Sequence, residues 1–297
     1  MVSDQPIRTG KVKDVFDRGD TLLFRFSDRI SVFDKIIPTL VKDKGLSLCR
    51  ISSFWFKTLK ERSISTHFIE SRGSEMTVKK FAVMERVNAA VYGNYLVPLE
   101  FVVRYYVAGS LFDKVKSGRI SFTDLGFKNM PAYGEKLPDP FLEVTTKFEK
   151  FDRFLSIGEA SSISGLHRYE IISILEECMK IDRIIEKQIE NSGLIHADGK
   201  KEFALDRERA PVVVDTFGTP DEDRFWEKNE YENGNVVELS KEFVRQYYRN
   251  TGYHSKLYES REKNLKEPEI QPLPDEMAAR VSELYRKMYE RITGQKW

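Results

Sequence analysis

The sequence predicts an α+β fold in two domains: a small β-rich N-terminal domain over residues 1–86 and a larger α+β domain over 87–297. Three observations carry the prediction. The first part of the chain alternates apolar and polar residues in short runs broken by Gly, Asp and Ser, as strands do. The longest apolar stripe at helical spacing, His167–Asn191, lies well downstream and runs straight into a long alternating hairpin. Between the two parts, Asn88–Leu96 shows no periodicity and contains Gly93, which marks a junction. A chain of 297 residues is long enough for a sizeable core in one large or two moderate domains.

The elements follow in order. Lys11–Asp17 alternates, Asp17–Asp20 is a turn, and Thr21–Phe26 is a second strand. This hairpin carries Gly10, Lys11 and Lys13, with both lysines on one face. They fit either a lid over a polyphosphate or a solvated edge strand whose lysines discourage pairing. Ser27–Asp34 interleaves polar and apolar residues at a strand end; Asp28, Ser31 and Asp34 either bond local backbone or reach a ligand. Leu46–Arg62 is an amphipathic helix whose Phe54, Trp55 and Leu59 belong in a core. Thr77–Val87 reads as a buried strand leading to Met84–Val87. Pro98–Val107 is another strand, and Gly109-Ser110 then opens a helix, a ready anion site a few residues past Arg104. Ser117–Asp139 reads as loop and leads to Glu143–Glu149. The His167–Asn191 helix buries Ile171, Ile174, Leu175, Met179, Ile181 and Ile184 and ends at Gly193. Thr219–Trp226 is a polar turn, Ser240 caps a helix to Asn250, Arg261–Pro274 is a surface segment, and Asp275–Thr293 is a terminal amphipathic helix.

Composition narrows the function. With 48 Lys+Arg against 47 Asp+Glu the net charge is +1, and no basic arm or helix addresses nucleic acid or a membrane. No run approaches the roughly 18 apolar residues of a membrane span, and the N-terminus lacks a signal-peptide core. Cys49 and Cys178 lie in apolar helical patterns and read as buried thiols, and His67, His167, His196 and His254 show no zinc-ligand spacing. A cytoplasmic location is the default expectation.

The hairpin His196–Asp206 with Val212–Asp215 concentrates the chemistry. Asp198, Lys200 and Glu202 fall on alternate positions and share one strand face. With a turn at Arg207–Ala210 and Asp206 paired to Pro211, Glu202 stands opposite Asp215. Such pairs have Cβ atoms roughly 4.5–5.5 Å apart, where like charges repel. Two facing carboxylates beside a lysine suggest a cation between them, first of all Mg²⁺ carrying a phosphate; the alternative is a charged outer face.

Read together, these segments resemble the SAICAR synthetases. The likeness runs from about residue 8 to about residue 250 and rests on motifs in the family's order: Gly10–Val15, Ser27–Asp34, Pro98–Arg104, Ala108–Ser110, Thr145–Lys147, Asp198–Phe203, Val214-Asp215, and Thr219–Asp221 with Arg224–Trp226. None is specific alone; their succession is. The resemblance implies a nucleotide cleft between two domains, related to ATP-grasp and kinase-like folds. It also implies an ATP-dependent ligase that joins L-aspartate to the carboxylate of an imidazole ribotide. On this reading ATP and Mg²⁺ are the cofactors, Glu202 and Asp215 hold the metal, and Lys11 and Lys13 cover the phosphates. Met84, Glu85 and Arg86 meet adenine, while Lys200 neutralises transferring charge and Asp198 orients Lys200 or the incoming aspartate. Asp28, Ser31, Asp34, Arg104, Ser110, Thr146, Lys147 and Arg224 contact the substrates. The implied partners are the small-molecule substrates, with no nucleic acid and no membrane, and a homodimer is left open.

The chain departs from the family's pattern at Thr216, where a second acid is usual after Asp215. It also departs at Phe151–Phe154, at Asp223 and in the longer Asn88–Leu96 connector. A kinase-like phosphotransferase acting on a small molecule would share the metal hairpin and lysine lid, although no His-Arg-Asp or Asp-Phe-Gly motif is present.

Overall fold

The computed structural model describes residues 5–87, 92–149 and 153–297, and two antiparallel sheets organise them. Along the chain come β1 (Arg8–Thr9), β2 (Lys13–Asp17), β3 (Thr21–Phe26), the short pair β4 (Ser31–Val32) and β5 (Lys35–Ile36), helix α1 (Lys44–Glu61), β6 (Phe68–Arg72) and β7 (Glu75–Lys79). Five of these strands form the first sheet, in the order β1-β2-β3-β7-β6. Then follow β8 (Tyr95–Leu96), β9 (Leu99–Tyr106), α2 (Gly109–Lys116), β10 (Lys136–Thr146), α3 (Ile157–Ser164), α4 (Arg168–Ile189), β11 (Leu194–Leu205), β12 (Pro211–Val214) and β13 (Asp223–Glu227). The chain ends in α5 (Lys228–Glu232), α6 (Glu242–Asn250), α7 (Tyr253–Glu262) and α8 (Asp275–Thr293).

The second sheet is built around β11, which pairs with β9 and β8 along one edge and with β13 and β12 along the other. Helix α4 covers one face, burying Ile171, Ile174, Cys178, Ile181, Ile185 and Ile189 at helical spacing. Helix α1 joins the two sheets. Its Cys49 Sγ lies 3.6 Å from the Glu75 carbonyl of β7, and its Ser47 hydroxyl donates to the Tyr285 carbonyl of α8 at 2.6 Å. One apolar core runs through it, with Phe56 stacked on Phe68 and edge-on to Phe217 at 5.5 Å. Trp55, fully buried, donates its indole N–H to the Gly218 carbonyl at 2.9 Å. Gly218 has φ +64, and a Cβ there would strike the indole ring, so this contact requires glycine.

Several elements differ from the sequence expectation for identifiable reasons. Thr77–Val87 is not one strand: β7 stops at Lys79, and the chain crosses to the second sheet, where Ala82 exchanges backbone bonds with Asn94 and Leu96. The segment expected as loop ends in β10, whose Pro138 and Pro140 conceal it in the sequence; β10 lies at the sheet's edge, where proline is tolerated. Helix α3, absent from the sequence expectation, opens with a capping box in which Ser156 and Glu159 each satisfy the other's backbone N–H. The main hairpin is one residue out of the expected register. Asp206 accepts from the N–H groups of Glu208 at 3.0 Å and Ala210 at 2.7 Å, and Arg209 takes φ +69. The Asp206 N–H also donates to the Ala210 carbonyl at 3.0 Å, so the loop is the three residues 207–209; Leu205 pairs with Pro211 and Glu202 with Val214. Of the Asn88–Leu96 connector, residues 88–91 lie outside the described residues, as do Phe151 and Asp152 of the Phe151–Phe154 departure.

Replacing Trp55 with Phe should cost about 2–4 kcal/mol, from the cavity left and the Gly218 carbonyl stripped of its donor. Denaturant midpoints at constant slope measure it, and a loss under about 0.5 kcal/mol would contradict the anchoring role of this contact.

Candidate active site

The pairing of β11 sets out a row of charge across the sheet. Asp198 is the register partner of Arg104 on β9 and of Arg224 on β13, so the three side chains share one face. Arg104 Nη1 donates to Asp198 Oδ2 at 2.9 Å, and Arg224 Nη1 donates to the same oxygen. Arg104 Nη2 donates to the Ser110 hydroxyl at 3.0 Å, at the start of α2. Arg104 Nε bonds Glu143, to which Lys114 also donates at 2.5 Å. Burial would raise the Glu143 carboxyl, but Arg104 and Lys114 outweigh it and hold it below its ordinary value. Arg224 lies 3.5 Å from Glu238 and donates to Glu242 at 3.2 Å. Burial pushes Glu238 up to about 7, whereas the Arg245, Arg224 and Arg249 cations outweigh burial at Glu242 and bring it down to about 2. Two guanidiniums converging beside a helix N-terminus make a site for a phosphate or carboxylate.

A second cluster lies farther along the same strand. Lys200 is 2.8 Å from Glu100, 3.3 Å from Glu202 and 3.2 Å from Glu222. Burial works against its charge, but these three carboxylates hold its pKa well above the ordinary value, so Lys200 is a fixed cation and not a base. Lys147 pairs with Glu202 and Lys13 with Asp215. Asp215 stands just past the end of β12 with φ +60, which turns its carboxylate toward the cluster although its register partner is not Glu202. Burial would raise both acids; the Lys147 charge on Glu202, and the Lys13 and Lys147 charges on Asp215, instead hold them low. Both are ionised oxygen donors held against ammonium groups, a set suited to a hard divalent cation. Beside them the same face becomes apolar: Ala204, Val212 and Val214 form a floor, walled by Phe81 and Leu96.

The other expected residues divide. Glu85, Arg86, Thr146 and Lys147 line one cleft of about 340 Å³ with Pro98, Phe148, Glu149 and Ile163. Met84 packs against the main core. Lys11 does not join Lys13: it pairs with Asp34 at 2.5 Å, and both are half-exposed. Asp28 accepts from the Gly45 N–H at 2.9 Å in the first turn of α1, and Ser31 is buried in β4, so these two serve local structure here. Thr146 accepts from the Arg153 N–H at 3.1 Å. Thr216 donates to Asp215 at 3.3 Å.

Sequence reading missed Glu100, Glu143, Glu222, Glu238 and Glu242. Glu100 lay within a quoted motif, and its direction was readable once Arg104 was placed on the strand face, since the two are four residues apart. Glu238 comes from a segment with no periodic signal, and Glu242 opens a helix that the sequence does place but whose pattern says nothing of Arg224. Also missed was a fully buried group under the sheet: Asp182, His196, Lys201 and Asp223. Asp182, His196 and Asp223 place ligand atoms within 4.8 Å of one another, and Lys201 Nζ pairs with Asp182 beside them. Cys49 and Cys178 are buried free thiols, and burial pushes Cys49 up to about 12.

Comparison with known proteins gives the family of the chain. A Thermoplasma acidophilum protein named phosphoribosylaminoimidazole-succinocarboxamide synthase is 60% identical over 292 residues, covering 98% of this chain and 99% of that one. Its Thermoplasma volcanium counterpart is 58% identical with the same coverage. A solved SAICAR synthetase in complex with ADP is similar with a TM-score of 0.71 and 27% identity, over 98% of each chain. Residues 6–260 match the sequence pattern of the SAICAR synthetases, and the chain belongs to that family.

Proposed function

We propose that this chain is an ATP-dependent ligase that joins L-aspartate to the carboxylate of 5-amino-1-(5-phosphoribosyl)imidazole-4-carboxylate, releasing SAICAR, ADP and phosphate in purine biosynthesis. The observation that carries the reading is the placement, on one face of β11, of a pair of arginines joined through Asp198 next to a lysine–carboxylate cluster and an apolar floor. These are the three recognition elements that a ribotide, a nucleotide polyphosphate and a base require. Relatives that carry the synthase name over nearly their whole length support it.

A carboxylate is a poor acyl donor, because the leaving group would be oxide. In the first step a ribotide carboxylate oxygen bonds to the γ-phosphorus and the bond to ADP breaks. In the second the aspartate amine bonds to the acyl carbon, phosphate leaves, and the amine loses a proton. Little covalent help is needed, so the protein acts by placement and charge. Arg104, Ser110 and Arg224 would hold the ribotide phosphate or carboxylate, with Asp198 fixing both arginines. Glu202 and Asp215 fit Mg²⁺ by donor type and ionisation, and the ion would supply charge neutralisation at the ATP phosphates. Lys13, Lys147 and Lys200 flank that position as cations. The floor of Ala204, Val212 and Val214 suits adenine, which the Met84–Arg86 backbone would meet. The two sheets would serve as two lobes with the nucleotide between them, the chain passing from the first to the second between Lys79 and Ala82, a few residues before the expected 86/87 division. Among the described residues no helix is long and apolar enough to cross a membrane, and a cytoplasmic enzyme is the reading adopted.

Steady-state ADP release, beyond a single turnover, should require ribotide and aspartate together. ADP formed without aspartate, with a stable phosphoester as product, would favour the phosphotransferase alternative instead. Glu202→Gln and Asp215→Asn should each lower kcat/KM by about 10²-fold or more and weaken Mg²⁺-dependent ATP binding; metal-dependent binding at parental strength in both variants would remove them as ligands.

The raised Glu238 carboxyl sets a pH dependence. Its folded value of about 7 lies above the ordinary 4.5, so its contribution to stability is present in full below that ordinary value and is gone once the pH has risen through about 7. Glu238→Gln, neutral at every pH, should therefore lose less stability than the parent between pH 5 and pH 8. Urea midpoints at the two pH values decide it, and equal losses would contradict the assignment.

A further inference from the structure

On the face of β11 turned away from the cleft, Lys201 meets Asp182 of α4 and lies 3.7 Å from Asp223 of β13, all three shut away from solvent. His196 Nε2 is 2.7 Å from Asp223 Oδ2, while its Nδ1 has no hydrogen-bond partner and stands 3.9 Å from Asp182 Oδ1. Tyr105 donates to Asp182 at 3.1 Å. Burial alone would push His196 down, but the bond to Asp223 and the charges of Asp182 and Asp223 outweigh it and raise its pKa. Two acids are thus set against an ammonium and an imidazole that favours its charged form. The Lys201 ammonium supplies the cation that these acids would otherwise seek from solution.

Within this group Asp223 reaches furthest. Its Oδ1 accepts from the Gly218 N–H at 2.8 Å, and its own N–H donates to the Thr219 carbonyl at 2.8 Å. The turn so held, Gly218–Asp223, begins three residues after Asp215. The next residue along β13 is Arg224, and the register partner of Asp223 on β11 is Gly199, between Asp198 and Lys200. A Cβ on Gly199 would collide with Asp223 Oδ2 and stand 2.7 Å from Lys201 Nζ, so only glycine admits the carboxylate this close to the strand.

We propose that Asp223 is a positioning residue. Its carboxylate, admitted by Gly199 and neutralised by Lys201, fixes Arg224 and the Asp215 loop in one arrangement and thereby couples the anion pocket to the metal and phosphate cluster. Asp223 does not touch substrate. The inference rests on the reading of Arg224 as a ribotide ligand and Asp215 as a metal ligand.

The experiment compares the full-length parent with Asp223→Ala, Asp223→Asn and Gly199→Ala, measuring SAICAR formation, ribotide KM, half-saturating Mg²⁺, kcat and Tm. Asp223→Ala and Gly199→Ala should each raise both ribotide KM and the Mg²⁺ requirement by about 10-fold or more, the scale seen when groups supporting a ligand are lost. Gly199→Ala deletes no polar group, so the same signature from it points to carboxylate placement. Asp223→Asn, which keeps an acceptor for Gly218, should move both constants less; it and Gly199→Ala decide the matter if the alanine variant at 223 does not fold. Variants with lowered Tm but both constants within twofold of the parent overturn the proposal, and so does a shift in only one constant. A parent that forms no SAICAR overturns the ligase reading and this inference with it; an active parent with unmoved variants overturns this inference alone.

Discussion

Everything at the centre of this protein follows from one strand that must keep ionised groups on both of its faces. β11 carries Asp198, Lys200 and Glu202 toward the cleft and Lys201 toward α4. An unpaired charge in such a place is costly, so each draws a counter-charge from another element. Asp198 takes Arg104 from β9 and Arg224 from β13, Lys200 takes Glu100 and Glu222, and Glu202 takes Lys147. Lys201 takes Asp182 from α4 and Asp223 from β13. The partners come from segments spread over most of the chain, so satisfying one strand fixes the relative placement of nearly all the elements around it.

That constraint explains which parts of the structure were legible. The alternation Asp198, Lys200, Glu202 depends only on the period of a strand, and it placed all three side chains on one face. Helix α8 spans the same residues in sequence and structure, because its apolar stripe has a single compatible period. The hairpin register was not legible, since it turned on whether Asp206 would cap its own loop; that bond shortened the loop by one residue. Asp215 nevertheless reaches the Glu202 cluster, because a positive φ redirects its side chain where register would not. Two errors, one in register and one in backbone conformation, offset each other. The partners of Lys200 and Arg224 at Glu222, Glu238 and Glu242 could not be read, since nothing in a local pattern reports a contact made through tertiary packing.

The departures from the family's pattern acquire a physical sense in the same frame. At 216, where a second acid is usual, threonine donates a hydrogen bond to Asp215, and a carboxylate reaches Lys200 from Glu222. The acid at 223, another of these departures, is matched by the buried Lys201, by His196 and by a glycine that makes room for it. Neither change stands alone. A buried acid without Lys201 would be an uncompensated charge, and a side chain at 199 would exclude the acid on steric grounds.

The same reasoning ranks the lysines. Lys11 and Lys13 look equivalent in sequence, two residues apart on one hairpin. Lys11 meets Asp34 at the exposed edge of the molecule, where solvent screens the pair and its net worth is small. Lys13 is covered by the rings of Phe24 and Phe26 and meets Asp215 where water is largely excluded. An ammonium there interacts far more strongly with any phosphate entering the cluster, because the screening that weakens Lys11 is absent. Of the two, Lys13 is therefore the one whose charge the fold has prepared before a ligand arrives.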